Sequence, residues 1–302
     1  MTIQSIKRKT VWGTLPAVDN RTYWEVWPEL RLNMTSEMST VTGPITIAIV
    51  DSGVPGSNAQ DRDDDGHATL LERMIRSLAT RSPRLNITIR HFKAFSAQGW
   101  PEPKGCAAKI RQAAAINPDV IVLAWDVGHM TNELRTAIAD AQSAVVVIAA
   151  GNWSLDNDRH PNWPANHSGQ TGMDHVITVM ATGEDDERAS FSSYGLFSVD
   201  VAAPGFAKVD APPSSSTLRN FGSLRDSHSN FRGTSAATAH VALLAALVRA
   251  KRQLTARQVK AHIRRGVRPV SELTKRTLTG GPRTLCATGA ISDFYKALTM
   301  SP

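Results

Sequence analysis

The sequence predicts an α/β fold in which helices cover both faces of a mostly parallel, doubly wound sheet. Short runs rich in valine and isoleucine, such as 45–50, 119–125 and 144–152, are apolar at consecutive positions. Runs of this kind are typical of strands that are buried on both faces. Segments with apolar residues at helical spacing separate the runs, and strands that alternate with helices favour parallel pairing.

The predicted elements follow these two patterns along the chain. The first strand covers 45–50 and ends at Asp51, and apolar residues at 70, 71, 74, 75 and 78 predict a helix that begins near His67. A Pro/Ser-rich loop is predicted over 207–230. The other predicted elements are a strand over 87–95, helices over 106–116 and 131–142, and strands over 119–125, 144–152, 176–180 and 199–203.

The most apolar segment covers 230–248 and reads NFRGTSAATAHVALLAALV. Because it is apolar on nearly every face, we expect a buried central helix. Ser235 stands at the N-terminus of that helix, where unpaired backbone N–H groups and the helix dipole favour a developing negative charge. Serine is also a common helix N-cap, so this residue alone does not establish catalysis.

The composition is that of a globular chain with 302 residues, of which 41% are hydrophobic and 20% charged. Such a length makes either one large α/β domain or two small ones. The formal net charge is +7, but the basic residues are spread along the chain, so we expect no nucleic-acid partner. One modest basic cluster is expected on the solvated face of a C-terminal amphipathic helix: Arg257, Lys260, Arg264, Arg265 and Arg268.

The lack of a recognisable targeting signal, together with the cysteine usage, predicts a cytoplasmic protein. The N-terminus has basic residues without an apolar run behind them, and no stretch of about 18 apolar residues predicts a membrane span. Cys106 and Cys286 have no spacing that indicates a disulfide framework or a zinc site. Residues 1–43 are expected to form an arm over the main domain, or a short prosegment, and 44–302 form that domain.

Three residue types that can form a nucleophilic site occur in the order aspartate, histidine, serine, at Asp51, His67 and Ser235. Their flanking strings are IAIVDSGV, DGHAT and GTSAATAHVA, and VVIAAGN ends at Asn152. Alone, each residue is also explained as a turn former or a helix cap. This order with these strings resembles the subtilisin-like serine proteases, the subtilases. The segments RASFSSYG, VAAPG and TGAISDFYKAL extend the resemblance over about 45–298.

The resemblance implies a subtilisin-like three-layer fold and a serine endopeptidase that needs no cofactor. It makes Ser235 the nucleophile, His67 the general base and then acid, and Asp51 the residue that orients the imidazole. Asn152 would donate its side-chain amide to the oxyanion, together with the backbone N–H of Ser235.

Three features depart from the family pattern and place the sequence in a divergent branch. Asp51 and His67 are closer in sequence than is usual, so a surface strand or loop is missing between them. The histidine motif reads HATLLER where the family usually has HGTHVAG. Ala239 stands where the serine motif usually has proline.

Residues 61–72, DRDDDGHATLLE, also match the calcium-binding loop of an EF-hand. An EF-hand requires a helix before the loop, and SGVPGSNAQ precedes it here, so the subtilase interpretation is favoured. Two alternatives stay open. One is a surface cation held by Asp61, Asp63 or Asp65, and the other is a solvated acidic loop that raises the pKa of His67.

The substrate segment of a subtilase corresponds here to 124–128, whose edge would pair with an extended peptide. We expect Trp125, after Ala124, to narrow the cleft. Asp126 either pairs with a Lys or Arg of the substrate or points to solvent or an internal partner. The opposite wall of the P1 pocket, which binds the residue on the acyl side of the cleaved bond, is expected to contain Ala149, Ala150 and Gly151.

These expectations favour a bacterial, intracellular processing or regulatory protease with a dedicated peptide or protein substrate. Because a cytosolic protease must be restrained, a regulatory protein is a candidate partner. The alternative is a catalytically silent subtilase-fold module that binds peptides. An esterase of the α/β-hydrolase type is excluded, since the serine lies in GTSAA and the histidine precedes it.

Overall fold

The centre of the protein is a twisted sheet whose strands are mostly parallel. The computed structural model describes residues 31–96, 99–208, 230–276 and 282–301. The strands in these ranges are β1 (Gly43–Asp51), β2 (Leu85–Lys93), β3 (Val120–Leu123), β4 (Val145–Ala149), β5 (Val176–Thr182), β6 (Val201–Pro204), β7 (Phe206–Lys208), β8 (Asn230–Arg232), β9 (Val267–Pro269), β10 (Thr274–Arg276), β11 (Pro282–Thr284) and β12 (Ala290–Ser292).

The α-helices in the same ranges are α1 (His67–Ala79), α2 (Pro103–Ala115), α3 (Asn132–Asp140), α4 (Thr234–Arg252), α5 (Ala256–Arg265) and α6 (Phe294–Thr299). Local sequence explains where several of them begin. Pro103 starts α2 at a position where its missing N–H costs nothing. Thr131 caps α3, and Thr255 forms a capping box with Gln258 at the start of α5.

The main sheet has the strand order β2-β1-β3-β4-β5-β6-β12-β9. Its neighbours pair in parallel, except β12 and β9, which are antiparallel. The chain moves outward from β1 to β2 and then returns to the other side of β1 for β3. The strand order therefore reverses between β1 and β3, and ligands of open α/β sheets bind beside the carboxyl ends at such a point.

Two hydrophobic cores lie on opposite faces of this sheet. One core contains buried residues of α1 and α4, and the other contains those of α2 and α3. The architecture is thus the predicted three-layer α/β/α fold. Every residue of β3 (VIVL) and β4 (VVVIA) is buried, as expected for central strands covered on both sides. The predicted central helix is α4, in which each residue from Thr234 to Val248 is buried.

The basic cluster near the C-terminus differs from its prediction. Lys260 lies on α5 but is only 6% exposed, and its Nζ is 3.2 Å from Asp200 Oδ1. Arg268 lies in β9 rather than on the helix, and it pairs with Asp186 at 3.0 Å. The predicted solvated face therefore loses two of its five members, because their acidic partners come from distant parts of the chain.

The described part of the predicted N-terminal arm packs tightly against the main domain. Leu32 and Met38 are fully buried in the core beneath α4. Trp12, Trp24 and Trp27 lie outside the described residues, as do 209–229 of the predicted loop. The flanks of that loop pair as the antiparallel strands β7 and β8.

Among the helices that the structure describes, none combines the length and apolar character needed to cross a lipid bilayer. Both cysteines, Cys106 and Cys286, are buried free thiols.

Candidate active site

Asp51 is the last residue of β1 and is fully buried at the carboxyl edge of the sheet. Its Oδ1 lies 2.7 Å from Nδ1 of His67 and also accepts the Ser52 backbone N–H at 2.7 Å. A charged residue at this depth requires partners, because burial of an unpaired carboxylate is costly. The two contacts fix the carboxylate against the imidazole.

His67 is the first residue of α1, and a network of short hydrogen bonds holds that end of the helix against β1. Asp63 accepts the Gly66 N–H at 2.9 Å and both the N–H and the hydroxyl of Thr69, at 2.8 and 2.5 Å. The Ser52 hydroxyl donates to Asp63 at 2.7 Å and accepts the Ala68 N–H at 2.9 Å. Asp63 therefore caps α1 and positions the histidine that begins it.

The charges around His67 favour its protonated form. Burial by itself lowers the pKa of His67, but the charge and hydrogen bond of Asp51 outweigh it, and Asp65 and Asp63 add to them. The net result is a raised pKa for the imidazole. Burial also raises the pKa of Asp65 to about 6. Asp65 Oδ1 is buried without a hydrogen-bond partner in the described residues.

Ser235 is the second residue of α4 and is 6% exposed. In this conformation its hydroxyl donates to the Ala124 carbonyl oxygen at 3.1 Å, just beyond the end of β3. Its backbone N–H belongs to the first turn of the helix, where amides have no intrahelical acceptor. Ser235 and His67 line the same small cavity, with a volume of about 30 Å³.

Asn152 follows β4 and lines the cavity as well. Its Oδ1 accepts the backbone N–H and the hydroxyl of Thr234, at 2.9 and 3.0 Å, which leaves the Nδ2 amide as the outward donor. Gly233 has a φ of +132°, and a Cβ there would lie 3.2 Å from that Nδ2. A glycine is therefore required both for the backbone conformation and for access to the donor.

The other cavity walls come from the ends of β3 and β4. Five of the residues that are predicted to bind substrate line it: Ala124, Trp125, Asp126, Ala149 and Gly151. Ala150 does not line it. Its carbonyl accepts the side-chain amides of two asparagines that hold the wall in place, Asn157 and Asn162.

Trp125 does not narrow the cleft as the sequence analysis expects. The side chain is 3% exposed, and its ring packs in the core between the sheet and α2 and α3. The indole N–H donates to the Val50 carbonyl at 2.6 Å. The ring therefore forms the floor of the cavity rather than an obstruction within the cleft.

The model of the subtilase family, peptidase class S8, matches residues 51–280. The chain belongs to the subtilase family of serine endopeptidases. Its relatives include the alkaline elastase YaB of Bacillus sp. (strain YaB), which is 29% identical over 70% of this chain and 56% of its own length. Subtilisin DY of Bacillus licheniformis is 27% identical over 72% of this chain and 81% of its own length.

A solved structure, MycP1 with the N-terminal propeptide removed, matches with a TM-score of 0.66 and 22% sequence identity. The match covers 91% of this chain and 97% of that one. At this level of identity the comparison shows that the two proteins share a fold.

The acidic loop of this subtilase does not form an EF-hand. Glu72 lies within α1 and contacts Arg76 and His91, each at 2.7 Å. Asp63 uses both carboxylate oxygens to cap the same helix, and Asp61 accepts the Ser57 hydroxyl at 2.6 Å. Over the described ranges, no group of three or more His, Cys, Asp or Glu side chains is arranged to hold a metal ion.

Three residues of the site were not predicted as such from the sequence. Thr234 orients Asn152. Its position next to the serine in the string GTS is the sequence feature that could have identified it. Arg232 lines the cavity, and its guanidinium carbon lies over the rings of Phe191 and Phe206, 5.2 and 4.9 Å from their centroids. The sequence predicts an acidic loop near His67, but it does not predict that Asp65 in particular is buried beside the imidazole.

Proposed function

We propose that this subtilase hydrolyses peptide bonds through an acyl-enzyme on Ser235, with His67 and Asp51 completing a catalytic triad. The observation that carries the proposal is the 2.7 Å contact between Asp51 Oδ1 and His67 Nδ1, in a cavity that Ser235 also lines. With Nδ1 committed to the carboxylate, Nε2 of the imidazole is the nitrogen that serves as the general base.

In the first step, Ser235 Oγ attacks the substrate carbonyl carbon while His67 takes the hydroxyl proton. The proton then passes to the leaving amine, and water releases the acyl group by the reverse sequence. Rotation of the Ser235 side chain away from the Ala124 carbonyl directs its proton to the imidazole. Hydrogen bonds of a free site commonly tighten in this way when substrate binds. Asp51 stabilises the imidazolium that forms.

Negative charge on the tetrahedral intermediate develops beside Asn152 and the N-terminus of α4. The Asn152 amide is already oriented by Thr234, so its Nδ2 needs no rearrangement to donate to the oxyanion. The backbone N–H of Ser235 and the positive end of the helix dipole add to this stabilisation. Preorganised donors of this kind supply a large part of the rate enhancement in acyl transfer.

The physiological role that we propose is that of an intracellular processing or regulatory protease with a dedicated substrate. A nucleophile that is only 6% exposed supports selective rather than general proteolysis. The two free, buried thiols are compatible with a reducing compartment such as the cytoplasm. A regulatory protein that restrains or delivers the substrate belongs to the same proposal.

A second candidate is a silent module that binds a peptide without cutting it. The observation that favours it is the hydrogen bond from the Ser235 hydroxyl to the Ala124 carbonyl, which occupies the nucleophile in this conformation. In that case substrate would bind along the same cleft, but the serine would not be activated.

Labelling with an uncharged fluorophosphonate, measured by intact mass, distinguishes the two. We expect one adduct on the wild-type protein, none on Ser235→Ala or His67→Ala, and an unchanged adduct on Ser190→Ala, which removes an exposed serine. Folded wild-type protein that forms no adduct would overturn the endopeptidase proposal and support the silent module.

A further inference from the structure

Asp126 lies at the boundary between the catalytic cavity and a larger neighbouring one. The second cavity has a volume of about 380 Å³ and is also lined by Trp153, Leu155 and Asn162. Trp153 follows the oxyanion residue Asn152 directly in the chain. The larger cavity therefore adjoins the place where the carbonyl of a substrate residue would lie beside Ser235 and Asn152.

The carboxylate of Asp126 is bound by neutral donors alone. Trp153 Nε1 donates to its Oδ2 at 2.9 Å, and the side-chain amide of Asn162 provides a second hydrogen bond. In the parts of the chain that the structure describes, no lysine or arginine forms an ion pair with it. Arg159, which lines the larger cavity, is engaged with Asp156 at 3.5 Å.

Burial raises the pKa of Asp126, although its two hydrogen bonds lower it. A carboxylate that has lost much of its hydration and has no cationic partner gains from a charge brought by a ligand. The Asp126 carboxylate therefore lacks a cationic partner, although its two hydrogen bonds already fix its orientation.

Trp153 adds an aromatic surface next to this carboxylate. The side chain is 63% exposed, although its indole N–H is anchored to Asp126. Because its N–H edge is held in place while the rest of the indole is exposed, the Trp153 ring is suited to bind a cation over its face. Guanidinium is planar and weakly hydrated, so it can stack on an indole and pair with a carboxylate at the same time.

We propose that Asp126 and Trp153 select a substrate with arginine on the acyl side of the bond that Ser235 attacks. This inference rests on the proposed function, because it assigns the substrate class of the same site. Arginine is preferred over lysine because only its planar group satisfies both the ring face and the carboxylate. The larger cavity then holds the arginine side chain, with its charge at Asp126.

Paired peptides that differ only in arginine or citrulline at this position test the inference. Citrulline has nearly the same shape without the charge. For the wild-type protein, with active sites counted by fluorophosphonate titration, we expect kcat/KM for arginine to exceed that for citrulline at least about 30-fold. Asp126→Asn should reduce the ratio to nearly one, and Asp126→Glu, which keeps the charge, should retain part of it.

Equilibrium binding to the Ser235→Ala variant separates this inference from the proposed function. Peptide amides that end in arginine or citrulline are compared by calorimetry, and arginine should bind at least about 30-fold more tightly. A wild-type protein that is labelled at Ser235 but shows no preference would overturn the inference alone. A binding preference without any labelling would support the inference and overturn the proposed chemistry. If neither the kinetic nor the binding assay shows a preference for arginine, the inference is also overturned.

Discussion

Asn152 Oδ1 accepts hydrogen bonds from both the backbone N–H and the hydroxyl of Thr234, at 2.9 and 3.0 Å. Thr234, which precedes the proposed nucleophile Ser235, therefore sets the orientation of the side chain that is proposed to bind the oxyanion. Thr234 also accepts the Gly151 N–H at 3.3 Å, which connects the ends of β4 and the start of α4. The two halves of the oxyanion site are thereby held together by one side chain.

Thr234→Val should lower kcat about 5-fold with little change in KM. The substitution keeps the shape but removes the hydroxyl's hydrogen bonds to Asn152 and Gly151. The bond that orients Asn152 is worth roughly 1 kcal/mol. Asn152→Ala should lower kcat more, by about 10²–10³, which is the magnitude known for loss of such a side-chain donor in subtilisin, a relative of this protein. Steady-state kinetics on one peptide checks both. The matched control is Thr182→Val, since that buried hydroxyl has no partner within the described residues, and equal kcat values for Thr234→Val and the control would contradict the prediction.

The raised pKa of His67 predicts the acid limb of the pH profile. Because the base must be neutral, kcat/KM should fall as pH decreases through a value above the usual 6.5 of histidine. Removing the negative charge of Asp65 disfavours the imidazolium, so Asp65→Asn should move the limb to lower pH by roughly half a unit. Asp64→Asn is the control, because Asp64 is exposed and paired with Arg62 and Lys93. A limb that shifts equally in both variants would show that only the overall charge matters.

Gly233→Ala should reduce activity more than it reduces stability. A residue with a side chain is strained at a φ of +132°, and its Cβ would crowd Asn152 Nδ2. We expect a loss of more than about 10-fold in kcat and about 1–2 kcal/mol in the free energy of unfolding. Gly172→Ala also places a side chain at a positive φ, +82°, but its Cβ would meet no atom within 4 Å. The control should lose similar stability and keep kcat, and a matching loss of kcat in both would refute the steric explanation.

Lys260→Met should destabilise the fold by about 3–5 kcal/mol, because it leaves the buried Asp200 carboxylate without its closest cation. The double variant Lys260→Met with Asp200→Asn should recover part of this loss. Urea unfolding measures the free energy in each case. Lys251→Met removes a half-exposed pair with Glu37, at 3.3 Å, and should cost less than about 1 kcal/mol. Equal effects at the two lysines would mean that burial of the pair is unimportant.

Much of the fold was predictable because its central strands and α4 are apolar without interruption. The runs in β3 and β4 and the helix after Ser235 needed no knowledge of distant contacts. Strands of three residues, such as β7, β8 and β9, are too short to show a periodic pattern, and the sequence did not predict them. Lys260 was assigned to a solvated face because nothing local indicates that Asp200 will lie beside it.

The four candidate catalytic residues were identified from short strings, and the structure brings three of them, His67, Asn152 and Ser235, to one cavity, with Asp51 in contact with the histidine. The surroundings of these residues were harder to predict from the sequence. Whether Trp125 blocks the cleft or packs beneath it depends on a hydrogen bond to Val50, a residue on another strand. The partners of Asp126 likewise became clear only when the segments after β3 and β4 were seen side by side.

The sheet order has a consequence for how the protein is made. Asp51 ends a strand near the start of the described chain, whereas Ser235 begins a helix that enters the core only after β3, β4 and β5 have been synthesised. Contacts between such distant segments form late, because the entropy cost of closing a long loop is offset only once the sheet contacts have formed. The proposed activity therefore appears only when the domain is essentially complete. Until the helix that carries Ser235 has docked, a growing chain would have no assembled site with which to cut itself or its neighbours on the ribosome.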